Sequence, residues 1–122
     1  MRKNYYGKYR AKVINNQDPE KMGRVKVVCP KVLGKYESNW ANICVPYAFD
    51  GGGGISIPRE DEIVWVEFEE GNPEKPIVVG QWWIPEETPL EDDEYKEEEL
   101  DRTRRFKTER GHKITFYDKK GK

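Results

Sequence analysis

Histidine occurs once in these 122 residues, at His112, and cysteine twice, at Cys29 and Cys44. A Ser-His-Asp triad or a multi-histidine metal site therefore has little to draw on. Both cysteines sit in apolar, strand-like runs (residues 25–29 and 43–45), where a free thiol serves as a small hydrophobe. A disulfide needs an oxidising compartment, and no signal peptide supports one. No apolar run approaches the ~18 residues that span a bilayer. The chain is expected to be made in the cytoplasm.

Hydrophobic residues are also scarce, at 35% against 37% charged. A chain of this length has room for one compact domain and a tail, with a small core. Aromatics are plentiful, with four Trp, seven Tyr and four Phe, and a small barrel enclosing a few bulky residues suits that mixture. Net charge is close to zero but unevenly placed. Residues 86–101 hold ten acidic side chains and one lysine, Lys96, whereas from Arg102 onward nine basic residues face only Glu109 and Asp118. Such a block pattern favours mutual neutralisation, within one chain or between copies, over a domain-wide basic footprint for nucleic acid.

Period-two alternation marks the strands. Tyr9, Ala11 and Val13 alternate with Lys8, Arg10 and Lys12, which predicts a first strand within residues 5–15 with one wet face. Turn formers at 15–19 break it. A second strand is predicted at 23–29, stopped by Pro30, which cannot donate to a ladder. Residues 31–39 read as a loop and 40–45 as a short third strand. Strands four and five, at 62–68 and 76–83, flank a polar connection at 70–75. Five strands parted by turn chemistry, with almost no helix signal, point to an all-β, five-stranded OB-type Greek-key barrel.

The glycine run at 51–54 lacks the Lys and Ser/Thr that would follow in a phosphate-cradling loop, since Ile55-Ser56-Ile57-Pro58 comes next. It reads as a flexible tip, or as a loop ordered against a partner. Glu67 and Glu69 fall on one strand face about 7 Å apart by strand rise, and without a pocket beside them they read as a solvated face rather than a glycosidase pair. His112 reads as a turn or strand residue beside Gly111. A single-stranded nucleic-acid surface is the alternative, built from Tyr5, Tyr6, Tyr9 and Trp40 with Lys8, Arg10, Lys12 and Arg24. Against it stand the acidic residues of strands four and five, which repel a phosphate backbone.

Past residue 83 the character changes. Pro85 and Pro89 punctuate the acidic block, which reads as an extended linker. Strand-like alternation returns around Phe106 and over Gly111-His112-Lys113-Ile114-Thr115-Phe116-Tyr117, a terminal strand with no evident partner for its edges.

Several of these segments resemble the OB domain of contractile-tail spike proteins. The family takes in the phage baseplate hub-spike protein, the baseplate assembly protein V type and the VgrG spike of type VI secretion. The resemblance lies in Gly23-Arg24-Val25-Lys26-Val27, Trp40-Ala41-Asn42-Ile43-Cys44-Val45-Pro46 and, most specifically, Ile57-Pro58-Arg59-Glu60 with Val64-Trp65-Val66-Glu67-Phe68-Glu69-Glu70-Gly71-Asn72-Pro73-Glu74-Lys75-Pro76. Residues 110–121 are similar to the segment that opens the triple-stranded β-helix of such spikes. The resemblance implies three parts: an OB barrel at 1–83, a charged linker at 84–105, and the beginning of a β-helical shaft at 106–122. It also implies a homotrimer formed through the C-terminal segment, with Phe106, Ile114 and Phe116 as shaft contacts, and a tail or baseplate hub protein as partner. The implied role is structural, as the hub-binding collar of a membrane-piercing spike in a virion tail or phage-like injection particle, with no catalytic residues, cofactor, metal or small-molecule substrate. Departing from longer members, the chain carries no lysozyme-like insert and no metal-binding tip motif. Either the shaft has been removed from this chain or a separate spike-tip protein supplies it.

Overall fold

Alternation along the first strand has a direct structural outcome. In the computed structural model, which describes residues 3–85, 87–88 and 102–118, β1 (Tyr9–Asn15) turns Ala11 and Val13 inward and leaves Arg10 and Lys12 exposed. In chain order there follow β2 (Lys26–Val28), a single helical turn α1 (Pro30–Leu33), β3 (Asn42–Ile43), β4 (Ala48–Phe49), β5 (Gly52–Gly53), β6 (Ile63–Phe68), β7 (Pro76–Gly80), β8 (Thr103–Lys107) and β9 (Lys113–Tyr117). Two compact units divide between Trp82 and Trp83. No helix among the described residues is long and apolar enough to cross a membrane.

Five strands form one sheet in the order β2-β1-β6-β7-β3, antiparallel except where β3 runs parallel to β7. The ladder is interrupted by irregularities in β1 between Val13 and Asn15 and in the β6–β7 pairing next to Trp65, and such bulges add twist. The sheet curls until its edges meet. Val25 and Ala41 exchange backbone hydrogen bonds of 3.1 and 2.7 Å, joining the start of β2 to the start of β3. Ser38 extends this seam, because its N–H donates to Val27 O and its Oγ accepts from Val27 N, both at 2.9 Å. The result is an all-β, OB-type unit.

The core is built mainly of valine. Val13, Val25, Val27, Val64 and Val66 are fully buried, joined by Ala11, Cys29, Ala41, Phe68 and Val78. The sequence suggested a few bulky residues inside; instead Phe68 is the one aromatic in the buried cluster, with Tyr5 and Tyr9 packed at its margin. A narrow curled sheet leaves little room between facing strands, so β-branched side chains of modest volume fill it and Trp65 turns outward. Of the two cysteines, only Cys29 is buried, where desolvation raises its thiol pKa; Cys44 is exposed, against the expectation for it.

Connections carry local order of their own. The stretch read as a loop at 31–39 begins with α1, whose first residue is Pro30, the position a proline suits in a helix. Asn72 organises the β6–β7 link: its N–H donates to Glu69 O at 2.9 Å and its Oδ1 accepts from Glu74 N at 3.0 Å. In the β1–β2 connection the Asp18 carboxylate, 1% exposed, accepts from the backbone N–H of Glu20, Met22 and Arg24 and from both Nε and Nη2 of Arg24. The Arg24 guanidinium, helped by those amides, holds the Asp18 carboxyl well below the usual carboxylate range, although burial opposes it.

β8 and β9 form a separate two-stranded hairpin with Phe106 opposite Ile114 and Arg104 opposite Phe116. The terminal strand, which showed no evident partner in the sequence, therefore pairs with β8. β8 also takes in residues 103–105, which the sequence reading placed in the linker. Most of the stretch expected to be an acidic linker, residues 89–101, and the last four residues of the segment expected to begin a shaft lie outside the described residues.

Two outcomes follow. Val64→Ala removes two buried methyls from the central strand and should cost about 2 kcal/mol in urea unfolding followed by tryptophan fluorescence. Asp18 has a folded-state pKa below its ordinary value of 3.8, so its bonds stabilise the fold above that pH and are lost as pH falls through the folded-state value. Asp18→Asn should therefore melt lower than the parent at neutral pH. The gap should close on acidification below about pH 4, as thermal scans across pH would read it.

Candidate functional site

Three surface features come from the arrangement just described, and each has a different character. The outer face of the main sheet is charged and internally paired. Lys8 meets Glu67 at 3.2 Å, and Lys12 lies 4.0 Å from Asp61. Between them Arg10 sits over the rings of Trp65 and Trp82, at 5.6 and 5.4 Å, and those rings stack 4.1 Å apart. Gly80 stands opposite Trp65 on β7, and two residues on Trp82 lies against the Trp65 ring.

This pairing disperses the groups considered for nucleic-acid binding. Tyr5 and Tyr9 pack against Phe68, Tyr6 lies over Gly71, and Trp40 stands elsewhere beside Arg24 and Lys26. Arg24 is committed to Asp18 and Glu20, and the β1 cations to β6 and its preceding turn. A phosphate backbone would find Lys8, Lys12 and Arg24 already paired with carboxylates, and Arg10 laid over the Trp65 and Trp82 rings. The carboxylates considered as an acid and nucleophile are likewise separated. The strand ends at Phe68, so Glu69 lies in a 3-10 turn near Lys75 while Glu67 stays on β6 beside Lys8, not on a shared strand face. His112 lies at the β8–β9 turn, where Thr108 donates its N–H to His112 O at 2.7 Å.

The second feature is the glycine run, expected to be a flexible tip or a loop ordered against a partner. It is an ordered hairpin, β4 paired with β5, closed by Asp50-Gly51 and extended by Gly54 N donating to Tyr47 O at 3.0 Å. Tyr47 and Phe49 stack edge to face with centroids 5.1 Å apart, and they remain 62% and 59% exposed. The glycines permit this packing. A Cβ at Gly52 would collide with the Phe49 ring, and one at Gly53, whose φ is +129°, would collide with Tyr47 O. An Asp-Gly pair between short runs is a hairpin signal, and it was legible in the sequence.

Third is the β8–β9 hairpin. It brings Phe106, Ile114 and Phe116, the three residues singled out as shaft contacts, onto one face, where they are 61%, 63% and 66% exposed. On the opposite face Arg105 donates to Thr115 Oγ1 and Tyr117 Oη, both at 3.1 Å, which braces the polar side.

Comparison with known proteins places the main unit. The type VI secretion system/phage-baseplate injector OB domain matches residues 9–83. The chain belongs to that family. Over 105 residues, 82% of its length, it is also 31% identical to the actin cross-linking toxin VgrG1 of Vibrio cholerae serotype O1, and it spans 10% of that protein. The matched stretch contains the whole five-stranded sheet, from Tyr9 at the start of β1 to Trp82 on its outer face. Residues 9–83 are thus an OB domain of the type VI secretion system/phage-baseplate injector kind.

Gly53→Ala should open the β4–β5 hairpin and leave the core intact. The Gly54 amide is expected to lose its hydrogen-exchange protection while those of Val64 and Val66 keep theirs, as read by native-state exchange.

Proposed function

We propose that this chain is the collar of a trimeric, membrane-piercing spike in a contractile tail or injection machine, and that its task is mechanical. The barrel at 1–83 grips a tail or baseplate hub protein, residues 84–105 act as a charged linker, and residues 106–122 begin a β-helical shaft that a separate tip protein or further chain completes. Assembly is into a virion tail or a phage-like particle after synthesis in the cytoplasm. The reading assigns no catalysis to these residues.

The observation that carries this proposal is the exposed apolar face of Phe106, Ile114 and Phe116 on the β8–β9 hairpin. Exposed apolar rows on short strands are sites of association, and burial against sister chains removes three large side chains from water in each copy. At roughly 1.5–3 kcal/mol per buried side chain, that outweighs exposed ion pairs worth about 0–1 kcal/mol each. The shaft contacts therefore hold the copies together, while the charge blocks guide their register.

Analytical ultracentrifugation of the full chain tests the proposal. A species of three copies is expected, persisting in moderate salt because apolar burial is not screened. Ile114→Asp/Phe116→Asp should weaken it by at least about tenfold in dissociation constant, with the thermal unfolding of the main unit unchanged. An association that salt abolishes, or that the double variant leaves untouched, rejects the shaft role of these residues.

A further inference from the structure

Asp50 and Gly51 form the tip of the β4–β5 hairpin, and both are exposed. They are the one Asx-Gly pair in the chain. A four-residue turn bonds its first and last residues, here Phe49 and Gly52, and leaves the N–H of its third residue outside the ladder. Among the described residues, the Gly51 N–H donates to no acceptor and the Asp50 carboxylate accepts from no donor. A Cβ placed on Gly51 would meet nothing within 4 Å, so the space around that residue is open. An uncommitted carboxyl is therefore followed directly by an uncommitted, unhindered amide nitrogen.

The other described aspartates are placed differently. The two oxygens of Asp18 accept from three backbone amides and from Arg24, and the next residue, Pro19, has no N–H. Asp61 lies 4.0 Å from Lys12, and the amide that follows it, of Glu62, already donates to Arg59 O at 3.2 Å. Asp118 is followed by lysine rather than glycine.

We propose that Asp50-Gly51 is a self-modifying site, at which the folded chain converts an aspartyl to an isoaspartyl linkage without an enzyme. The Gly51 nitrogen attacks Cγ of the protonated Asp50 carboxyl. The amide proton passes to solvent, the Cγ hydroxyl leaves as water, and a cyclic imide forms. Water then adds to one of the two imide carbonyls. Addition at Cγ breaks the new Cγ–N bond and restores the aspartyl chain. Addition at the main-chain carbonyl breaks the original C–N bond and leaves Gly51 joined to Cγ, with a free α-carboxylate beside it. Water lost is water regained, and nothing is oxidised or reduced. The main chain then runs through Cβ and Cγ, so the loop gains one backbone atom. Phe49 and Gly52 lose the spacing that their pairing requires, and the Tyr47–Phe49 stack loosens. The reaction needs neither a partner nor a second copy, so it stands apart from the collar reading.

The test is incubation of the folded full chain in neutral buffer made with heavy-oxygen water, followed by tryptic mapping and mass spectrometry. The peptide of residues 36–59 should acquire heavy oxygen and a separately eluting isomer, which an isoaspartyl carboxyl methyltransferase methylates. Asp50→Glu keeps the charge but demands a larger ring, and should slow the reaction by at least about tenfold. Asp50→Asn reaches the same imide by releasing ammonia, and should speed it by at least about tenfold. Absence of label at Asp50, over a time that labels a synthetic peptide of residues 36–59, overturns the proposal because the hairpin then protects the site. Equal labelling at Asp18 or Asp61 also overturns it, as does an isomer that forms in Asp50→Glu at the parent rate. Hydrogen exchange reads the structural consequence. In the isomerised chain the Gly54 amide should lose protection while Val64 and Val66 keep theirs, and retained Gly54 protection rejects the loosening of the hairpin.

Discussion

The inward row of Val64, Val66 and Phe68 on β6 is the constraint on which the main unit depends. β6 is the middle strand of five, bonded to β1 on one side and β7 on the other, and its alternation fixes which face of the whole sheet is dry. A slip of one residue would turn those side chains to water and bring Ile63, Trp65 and Glu67 inward, burying a carboxylate. The curl that lets Val25 reach Ala41 follows from the same choice, because a core of valines is thin enough for the sheet edges to join. Outward placement of Trp65 is then obligatory, and the Trp65–Trp82–Arg10 stack is how the exposed ring is covered.

Charge and apolar surface are divided in a way that bears on assembly. Where cations and carboxylates are dense, on the outer face of β1 and β6, they are paired across strands. Where the surface is apolar, at the β4–β5 hairpin and on the Phe106, Ile114 and Phe116 face, side chains stand exposed without such neutralisation. A component that must associate without binding polyanions benefits from that division, since apolar contacts survive salt and paired charges do not recruit phosphate.

Much of the fold was legible. The strand pattern of Tyr9, Ala11 and Val13 and of Val64, Val66 and Phe68 was plain because a half-buried strand writes its face directly into alternate residues. Boundaries were less so: the strand read at 40–45 shrinks to Asn42–Ile43, because its neighbours are spent on the seam with Val25 and on Cys44 N bonding Val78 O. The glycine hairpin differs from the flexible tip that its composition suggests, because the Asp50-Gly51 turn signal lies inside a run of four glycines whose conformational freedom gives no strand pattern of its own. Among the residues proposed as shaft contacts, Ile114 and Phe116 share a face by simple alternation, whereas the placing of Phe106 beside them required the register of β8 against β9.

By itself the sequence determined the class, the alternating strands and the presence of a charged tail with alternating apolar residues, because periodicity and turn chemistry act over a few residues and need no knowledge of distant partners. Tertiary structure alone decided which aromatics leave the core, how Asp18 is enclosed by its own connection, and that the terminal strand pairs within its chain. The first depends on volumes that residues far apart in the chain bring together, which no local pattern records. The other two depend on hydrogen-bond geometry between near neighbours, Asp18 with residues 20–24 and β9 with β8, that alternation and composition leave open.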